Sequence, residues 1–257
     1  MSILTLLKEK KDSNLDAPET TLQHREIILR KKFLKKIYIR WYRSFIGQFK
    51  DLPNGKIIEI GSGGGFIKSL DNRIITSDIL PFPHCDMAFS AEKMPFEDNS
   101  VAAILMIDVL HHIPDSQLFF TEATRILKPG GKILMIEPAN TAFARFIFQK
   151  FHHENFDPGA ADWTFPTSGP LSGANGALPW IIFSRDYDKF SKLFPKLTRE
   201  KIKIHTPFAY LVSGGLTFKS LLPGWLYPAF SSFEFITSPL NRWIGMFQTI
   251  SVKKIVE

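Results

Sequence analysis

The chain has 257 residues, a formal net charge of +7 and an apolar fraction of 44%, which suits one α/β domain with insertions around a real core. A single cysteine, Cys85, excludes an internal disulfide, and no run of about 20 apolar residues offers a membrane span. The opening MSILTLLKEKKD lacks the basic-then-apolar order of a secretion signal, so the chain reads as cytoplasmic.

In chain order, the first feature is an uneven spread of that charge. From His24 to Lys50 there are nine Lys or Arg and one acid, Glu26. Ile27, Ile28, Phe33, Leu34, Ile37, Tyr38, Trp41, Tyr42 and Phe45 recur there at helical spacing. Residues 1–50 therefore read as a basic N-terminal helical segment, one amphipathic helix or a helix pair. Its basic face is either solvated or set against an anionic partner, a membrane surface or a phosphate-bearing substrate. No nucleic-acid motif is recognisable, so no nucleic acid is expected.

Lys56 to Lys68, KIIEIGSGGGFIK, reads as a buried strand, a tight glycine turn and the start of a helix. Glycine permits φ > 0 and lets the backbone approach a ligand closely. The helix would turn its free N–H groups and positive dipole end to that ligand. Two patterns compete. A dinucleotide turn, G-x-G-x-x-G, would place Phe66 where glycine packs helix on strand. The pattern acid-x-G-x-G-x-G is met by Glu59, Gly61, Gly63 and Gly65. The next strand, Arg73 to Ile79, ends in Asp78, whose carboxylate can accept from both hydroxyls of a ribose.

The acid-x-G-x-G-x-G turn resembles the first motif of class I S-adenosylmethionine-dependent methyltransferases. Three further stretches follow in the family's order: SAEKMPFEDNS from Ser90, VAAILMIDVLHHI from Val101, and the LKPGG turn before KILMIEP. They resemble the type 11 methyltransferase domain over Ile57 to Pro138. The resemblance implies S-adenosylmethionine as cofactor, with the glycine turn around its methionine part and Glu59 at its amino group. The implied cofactor contacts are Glu59, Gly61, Ser62, Gly63, Gly65, Asp78, Ile79, Ser90, Ala91, Glu92 and Asp108. Two positions depart from the family: Ser90 and Ala102 stand where acids are usual.

The implied fold is α/β: a Rossmann-like, seven-stranded, mostly parallel sheet with an antiparallel last strand, preceded by the N-terminal helical segment. A methyltransferase domain would occupy 51–257, with its core at 56–138. Ala144 to Phe151 looks helical. A Pro-, Gly- and Ser-rich lid insertion spans about 145–180; its Trp163, Phe165 and Trp180 argue for order. Phe183 to Phe194 reads as a helix and Lys201 to Thr206 as a strand. An aromatic insertion, about 207–245, precedes the last strand, Phe247 to Lys254.

His111 and His112, after the fourth strand, stand where a base for an acceptor hydroxyl belongs, His112 first and His111 second; Asp108 orients a histidine or faces the sulfonium. The pairs His111–His112 and His152–His153 are not at a chelating spacing, because neighbours in a strand or helix face apart, so no metal is expected. The functional expectation is methyl transfer to a small-molecule, glycan or lipid-linked acceptor. Positive charge beside an aromatic surface suits an acceptor with a phosphate and a greasy tail. A polyprenyl-linked sugar or an isoprenoid quinone precursor would fit, at the inner membrane face and with peripheral contact to anionic lipid. A catalytically inactive cofactor-binding protein and a dinucleotide-dependent oxidoreductase stay open.

Overall fold

A computed structural model describes residues 8–9 and 16–256, apart from 153, 168 and 170; His153 thus lies outside the described residues. The sheet forms where apolar runs are densest. Its seven strands are β1 (Lys56–Ile60), β2 (Ile74–Asp78), β3 (Met87–Ala88), β4 (Val101–Ile107), β5 (Leu127–Pro138), β6 (Leu197–His205) and β7 (Phe247–Lys254). They lie in the order β3-β2-β1-β4-β5-β7-β6. The first five are parallel, with Ile58 opposite Ile75 on one side and Ile104 on the other. β7 is antiparallel to both neighbours, setting Ile250 beside Met135 and Ile202. This is the expected Rossmann-like sheet. β4, VAAILMI, is buried at every position but Ile107; a strand covered on both faces reads as a continuous apolar run rather than an alternation. The far end of β7 is pinned by Lys254, whose Nζ donates to Asn99 Oδ1, Thr124 O and Leu127 O, each at 2.7 Å.

Among the described residues the longer helices are α1 (Pro18–Arg30), α2 (Lys32–Ile46), α3 (Ser116–Ile126), α4 (Ala142–Phe151), α5 (Tyr187–Leu193) and α6 (Tyr227–Ile236). α3 starts where Asp115 accepts from the N–H groups of Gln117 and Leu118, and α4 where Thr141 accepts from Ala144. Such side chains satisfy donors that the first helical turn leaves open. The N-terminal segment is a helix pair, and all nine apolar residues at helical spacing are buried. The chain breaks at Lys31, with ψ at 94°.

Arg30, Lys32 and Arg43 on this pair are exposed, but part of its basic face is engaged within the fold. Lys31 is buried; its Nζ donates to Gly215 O at 2.9 Å and to Phe218 O, and pairs with Glu9 at 3.3 Å. Lys36 Nζ donates to Gly224 O at 2.9 Å, and Arg40 pairs with Glu234 at 3.2 Å. These three cations fasten the aromatic insertion to α1 and α2. Among the described residues no helix is long and apolar enough to cross a membrane.

The expected helix after the glycine turn is absent. Between β1 and β2 the chain makes two 3₁₀ turns, Ser62–Gly64 and Ile67–Ser69. Nine residues, 65–73, are too few for a helix and a return to β2. The space above the turn belongs instead to α1 and α2: Ile28 Cδ1 and the Tyr42 hydroxyl lie against Gly64 and Gly65. At this turn there is therefore no helix N-terminus of the kind on which the dinucleotide alternative rests its pyrophosphate.

Within the segment expected as a lid, one tryptophan is tied into the fold. Trp163 is buried, donates from Nε1 to Asp186 at 3.0 Å, and accepts at its carbonyl from Ser116 Oγ at 3.0 Å. The helix expected from Phe183 begins earlier and in pieces, as a turn at Leu178–Trp180 and a π turn at Ile181–Arg185 before α5. Asp186 N donates to Ile181 O at 2.8 Å, five residues back, which widens the helix there.

Candidate functional site

The parallel strands end at one edge, where open α/β sheets hold their ligands. A cavity of about 360 Å³ opens there. Its floor is the strand ends and the loops after them. α1 and α2 cover one side with Thr21, His24, Tyr38 and Tyr42, while the lid and the insertion bring Phe148, Glu154 and Tyr210 to the other.

The glycine turn forms one end. Gly61 has φ at +71°, and a Cβ there would lie 2.4 Å from Val109 Cγ2. A Cβ on Gly63 would meet Thr21 Cγ2 at 2.4 Å and Asp78 Oδ2 at 2.7 Å. Both positions require glycine. The Gly63 N–H donates to Asp78 Oδ2 at 2.9 Å, and Leu80 N donates to Oδ1 at 3.2 Å. Asp78 thus stands over the turn, its pKa raised by burial. Glu59 is buried beneath it and accepts from Ser62 Oγ at 2.5 Å. Burial pushes the Glu59 carboxyl up to about 7. Phe66 N donates to the Tyr42 hydroxyl at 3.2 Å.

Farther along the wall, Ser90 Oγ accepts from Glu92 N at 3.1 Å, and Glu92 Oε1 accepts from Asp115 N at 2.9 Å. Glu92 therefore joins this wall to the start of α3. Ile79, Ser90 and Ala91 border the cavity beside it.

A polar cluster follows at the end of β4. The carboxylate of Glu137, fully buried on β5, accepts on Oε1 from Val109 N at 3.0 Å and Leu110 N at 2.8 Å. Its Oε2 lies 2.6 Å from His111 Nδ1. The other ring nitrogen, His111 Nε2, is 3.4 Å from Glu154 Oε2, and His112 Nε2 is 3.6 Å from Glu154 Oε1. Burial opposes charge on His111, but Glu137 and Glu154 outweigh it and hold its pKa well above the ordinary imidazole value. Burial and the neighbouring His111 push His112 down to about 4. Glu154 resists its own burial; the histidines around it hold it well below the usual carboxylate range.

Asp108 has φ at +54°, and its Oδ1 has no hydrogen-bond partner among the described residues. Burial pushes its carboxyl up to about 8, against the pull of His111. Beyond the cluster the walls turn apolar at Phe148, Phe151, Leu211 and Met246. The described lining carries five acids, Glu59, Asp78, Glu92, Asp108 and Glu154, and no Lys or Arg.

Every expected site residue but one borders this cavity. Ser62 does not: it is buried behind the turn, holding Glu59. The argument that neighbouring histidines diverge also does not hold here, because residues 110–112 form a 3₁₀ turn rather than a strand or α-helix. Both Nε2 atoms face Glu154. Glu137, Tyr38, Tyr42 and Tyr210 were not expected at the site. Glu137 alone had a local signal, an acid at the carboxyl end of a central strand.

Residues 58–135 match a family model described as a methyltransferase domain. A demethylmenaquinone methyltransferase of Symbiobacterium thermophilum is 24% identical over 202 residues, covering 68% of this chain and 78% of that protein. A ubiquinone/menaquinone biosynthesis C-methyltransferase of Desulfotalea psychrophila is 24% identical over 138 residues, 43% of this chain and 54% of its own length. Among solved structures, geranyl diphosphate C-methyltransferase from Streptomyces coelicolor A3(2), with Mg²⁺, geranyl diphosphate and S-adenosyl-L-homocysteine, aligns at TM-score 0.50. That alignment covers 97% of this chain and 92% of that one at 15% identity, a likeness of fold. A methyltransferase structure from Archaeoglobus fulgidus also reaches 0.50, at 13% identity over 86% of this chain and 94% of its own.

Proposed function

We propose that this chain, a class I S-adenosylmethionine-dependent methyltransferase, methylates an apolar small-molecule or lipid-linked acceptor that carries a hydroxyl group. The acceptor enters between the lid and the aromatic insertion. The observation that carries this reading is the continuity of one cavity. It runs from the Glu59–Asp78 end, through the His111–His112–Glu154 cluster, to the apolar walls at Phe148, Phe151, Leu211 and Met246.

In this reading Glu59 faces the cofactor's ammonium and Asp78 its ribose hydroxyls, with Ile79, Ser90, Ala91 and Glu92 along the adenosine. The turn at Gly61, Gly63 and Gly65 lies against the methionine part. Asp108, with an unbonded buried oxygen, faces the sulfonium. In the reaction the methyl–sulfur bond breaks as the acceptor–methyl bond forms, and alignment of the three groups supplies much of the rate. His112 is the candidate base. Its Nδ1 lies 3.2 Å from Gly173 O, which can only accept, so Nδ1 carries the hydrogen and Nε2 a lone pair. His111 is engaged by a carboxylate on each side and positions the cluster.

With no Lys or Arg among its described lining residues, the cavity is a poor place for a bare phosphate. Quinol-like acceptors are the better match, and the two relatives named for menaquinone or ubiquinone methylation point the same way. The same reading places the protein at a lipid surface through the insertion. Trp225, Phe235 and Ile236 are 74%, 79% and 74% exposed, and Phe151, half-exposed on α4, lines the cavity. Large exposed apolar patches mark interaction sites.

The test is label transfer from S-adenosyl-L-[methyl-³H]methionine to fractionated cell extract and to synthetic isoprenoid hydroquinones. Label should enter the organic phase. Label confined to protein, nucleic acid or water-soluble products would refute the apolar acceptor; binding of S-adenosylhomocysteine with no transfer at all would mark an inactive protein.

A further inference from the structure

We infer that His111, His112 and Glu154 form a binding site for one divalent transition-metal cation in the wall of the cavity. One ligand atom from each residue, a ring nitrogen from each histidine and a carboxylate oxygen, lies within 4.8 Å of the others. The Nε2 atoms stand 3.4 and 3.6 Å from Glu154 Oε2 and Oε1, longer than the usual hydrogen bond, and His152 Nδ1 lies 3.6 Å from Glu154 Oε2. Those separations suit ligands that share a metal. Bond lengths of about 2.1 Å in a tetrahedron give ligand–ligand edges of about 3.4 Å.

The tautomers say the same. His111 turns Nδ1 to Glu137 Oε2 at 2.6 Å, and His112 turns Nδ1 to Gly173 O at 3.2 Å. Each ring thereby directs Nε2 at Glu154. A lone pair on His112 Nε2 facing a carboxylate oxygen can be shared by a cation held between the two. Histidines that hold metals characteristically donate the other ring N–H to a carboxylate or a backbone carbonyl, and here one ring does each. Glu137 is fixed in turn by two backbone N–H groups. The imidazole centroids are 4.3 Å apart, so the 3₁₀ turn brings both rings to one side.

Two imidazoles and one carboxylate favour ions of the zinc, cobalt, iron or manganese kind over magnesium or calcium. A tetrahedral ion would keep one position open. Resting on the methyl-transfer reading, that position takes the acceptor's hydroxyl oxygen: its O–H bond breaks, the proton leaves to solvent, and the oxygen stays on the cation. His112 then serves as ligand and the cation replaces it as the group that ionises the acceptor. Because Glu154 lies in the lid segment and the histidines follow β4, the ion would also tie that segment to the sheet.

The experiment uses chelator-stripped full-length protein, titrated with Zn²⁺ by calorimetry and with Co²⁺ by visible absorption. Expected are one ion per chain and the intense d–d bands of a low-coordinate cobalt site. His112→Ala and Glu154→Gln should weaken binding at least about tenfold, and Glu137→Gln by about 10–100-fold. Cys85→Ser should leave it unchanged. S-adenosylhomocysteine titration of each variant reports that it is folded. Absent cobalt bands, wild-type affinity no better than that of a folded ligand variant, or binding lost in Cys85→Ser would overturn the site. Metal binding is read without any methyl transfer, so its failure is distinct from failure of the proposed reaction.

Discussion

Glu59, buried, and Asp108, partly buried with a shielded Oδ1, are two acids of one cavity, and each makes a separate prediction. Without cofactor, the Glu59 carboxyl titrates at about 7 instead of 4.5, so between those values the folded chain holds a proton that the unfolded chain has released. Its contribution to stability is therefore full below about pH 4.5 and lost as pH rises through 7. A bound ammonium reverses the preference. S-adenosylhomocysteine should bind more tightly as pH rises toward 7, and below 7 its binding should release protons. Calorimetry in buffers of different ionisation heat measures this; binding without proton release at pH 6 would remove Glu59 from the amino group. Asp108→Asn keeps a residue that tolerates positive φ while removing the charge. It should weaken S-adenosylmethionine by about tenfold, the scale of one charged contact, and spare S-adenosylhomocysteine, whose thioether sulfur carries no charge. Equal loss for both ligands would contradict a carboxylate facing the sulfonium.

At the scale of elements, much was legible in the sequence. The strands follow from runs such as VAAILMI, and the buried face of α1 and α2 from nine residues at helical spacing. The glycine turn and Asp78 were legible because their constraints are local: a positive φ, a close approach, a strand end. Long-range facts were not. Nothing near Lys31 says that its ammonium meets carbonyls at 215 and 218, so a lysine that reads as solvated or facing an anionic partner is a clamp within the fold. Glu154 likewise reaches His111 only through tertiary packing. The helix that the pattern predicts after the glycine turn does not form, because the chain is too short there and α1 and α2 already cover the turn. Lys31→Met should therefore destabilise the fold by about 1–3 kcal/mol, by stranding two buried carbonyls. Urea unfolding measures it, and an unchanged midpoint would contradict the clamp.

For the whole molecule, the clamp and the exposed apolar surface separate two routes to a lipid surface. Lys31 and Lys36 are spent on the insertion, whereas Trp225, Phe235 and Ile236 are free to enter an interface. Trp225→Ser with Phe235→Ser should reduce co-sedimentation with lipid vesicles, and the wild-type binding should survive high salt, since apolar burial is not screened. Binding that salt abolishes and the double variant keeps would return the contact to the basic residues.

The central claim is that the glycine turn and Asp78 hold the cofactor at the carboxyl edge of the sheet, from which the rest of the cavity is arranged. Calorimetric titration of S-adenosylhomocysteine into the wild type, Gly63→Val and Asp78→Ala tests it most directly. One site is predicted in the wild type. Gly63→Val should abolish it, since even a Cβ there would lie 2.4 Å from Thr21 and 2.7 Å from Asp78. Asp78→Ala should weaken it by roughly 1.5–3 kcal/mol. Wild-type affinity retained in both variants would contradict the account.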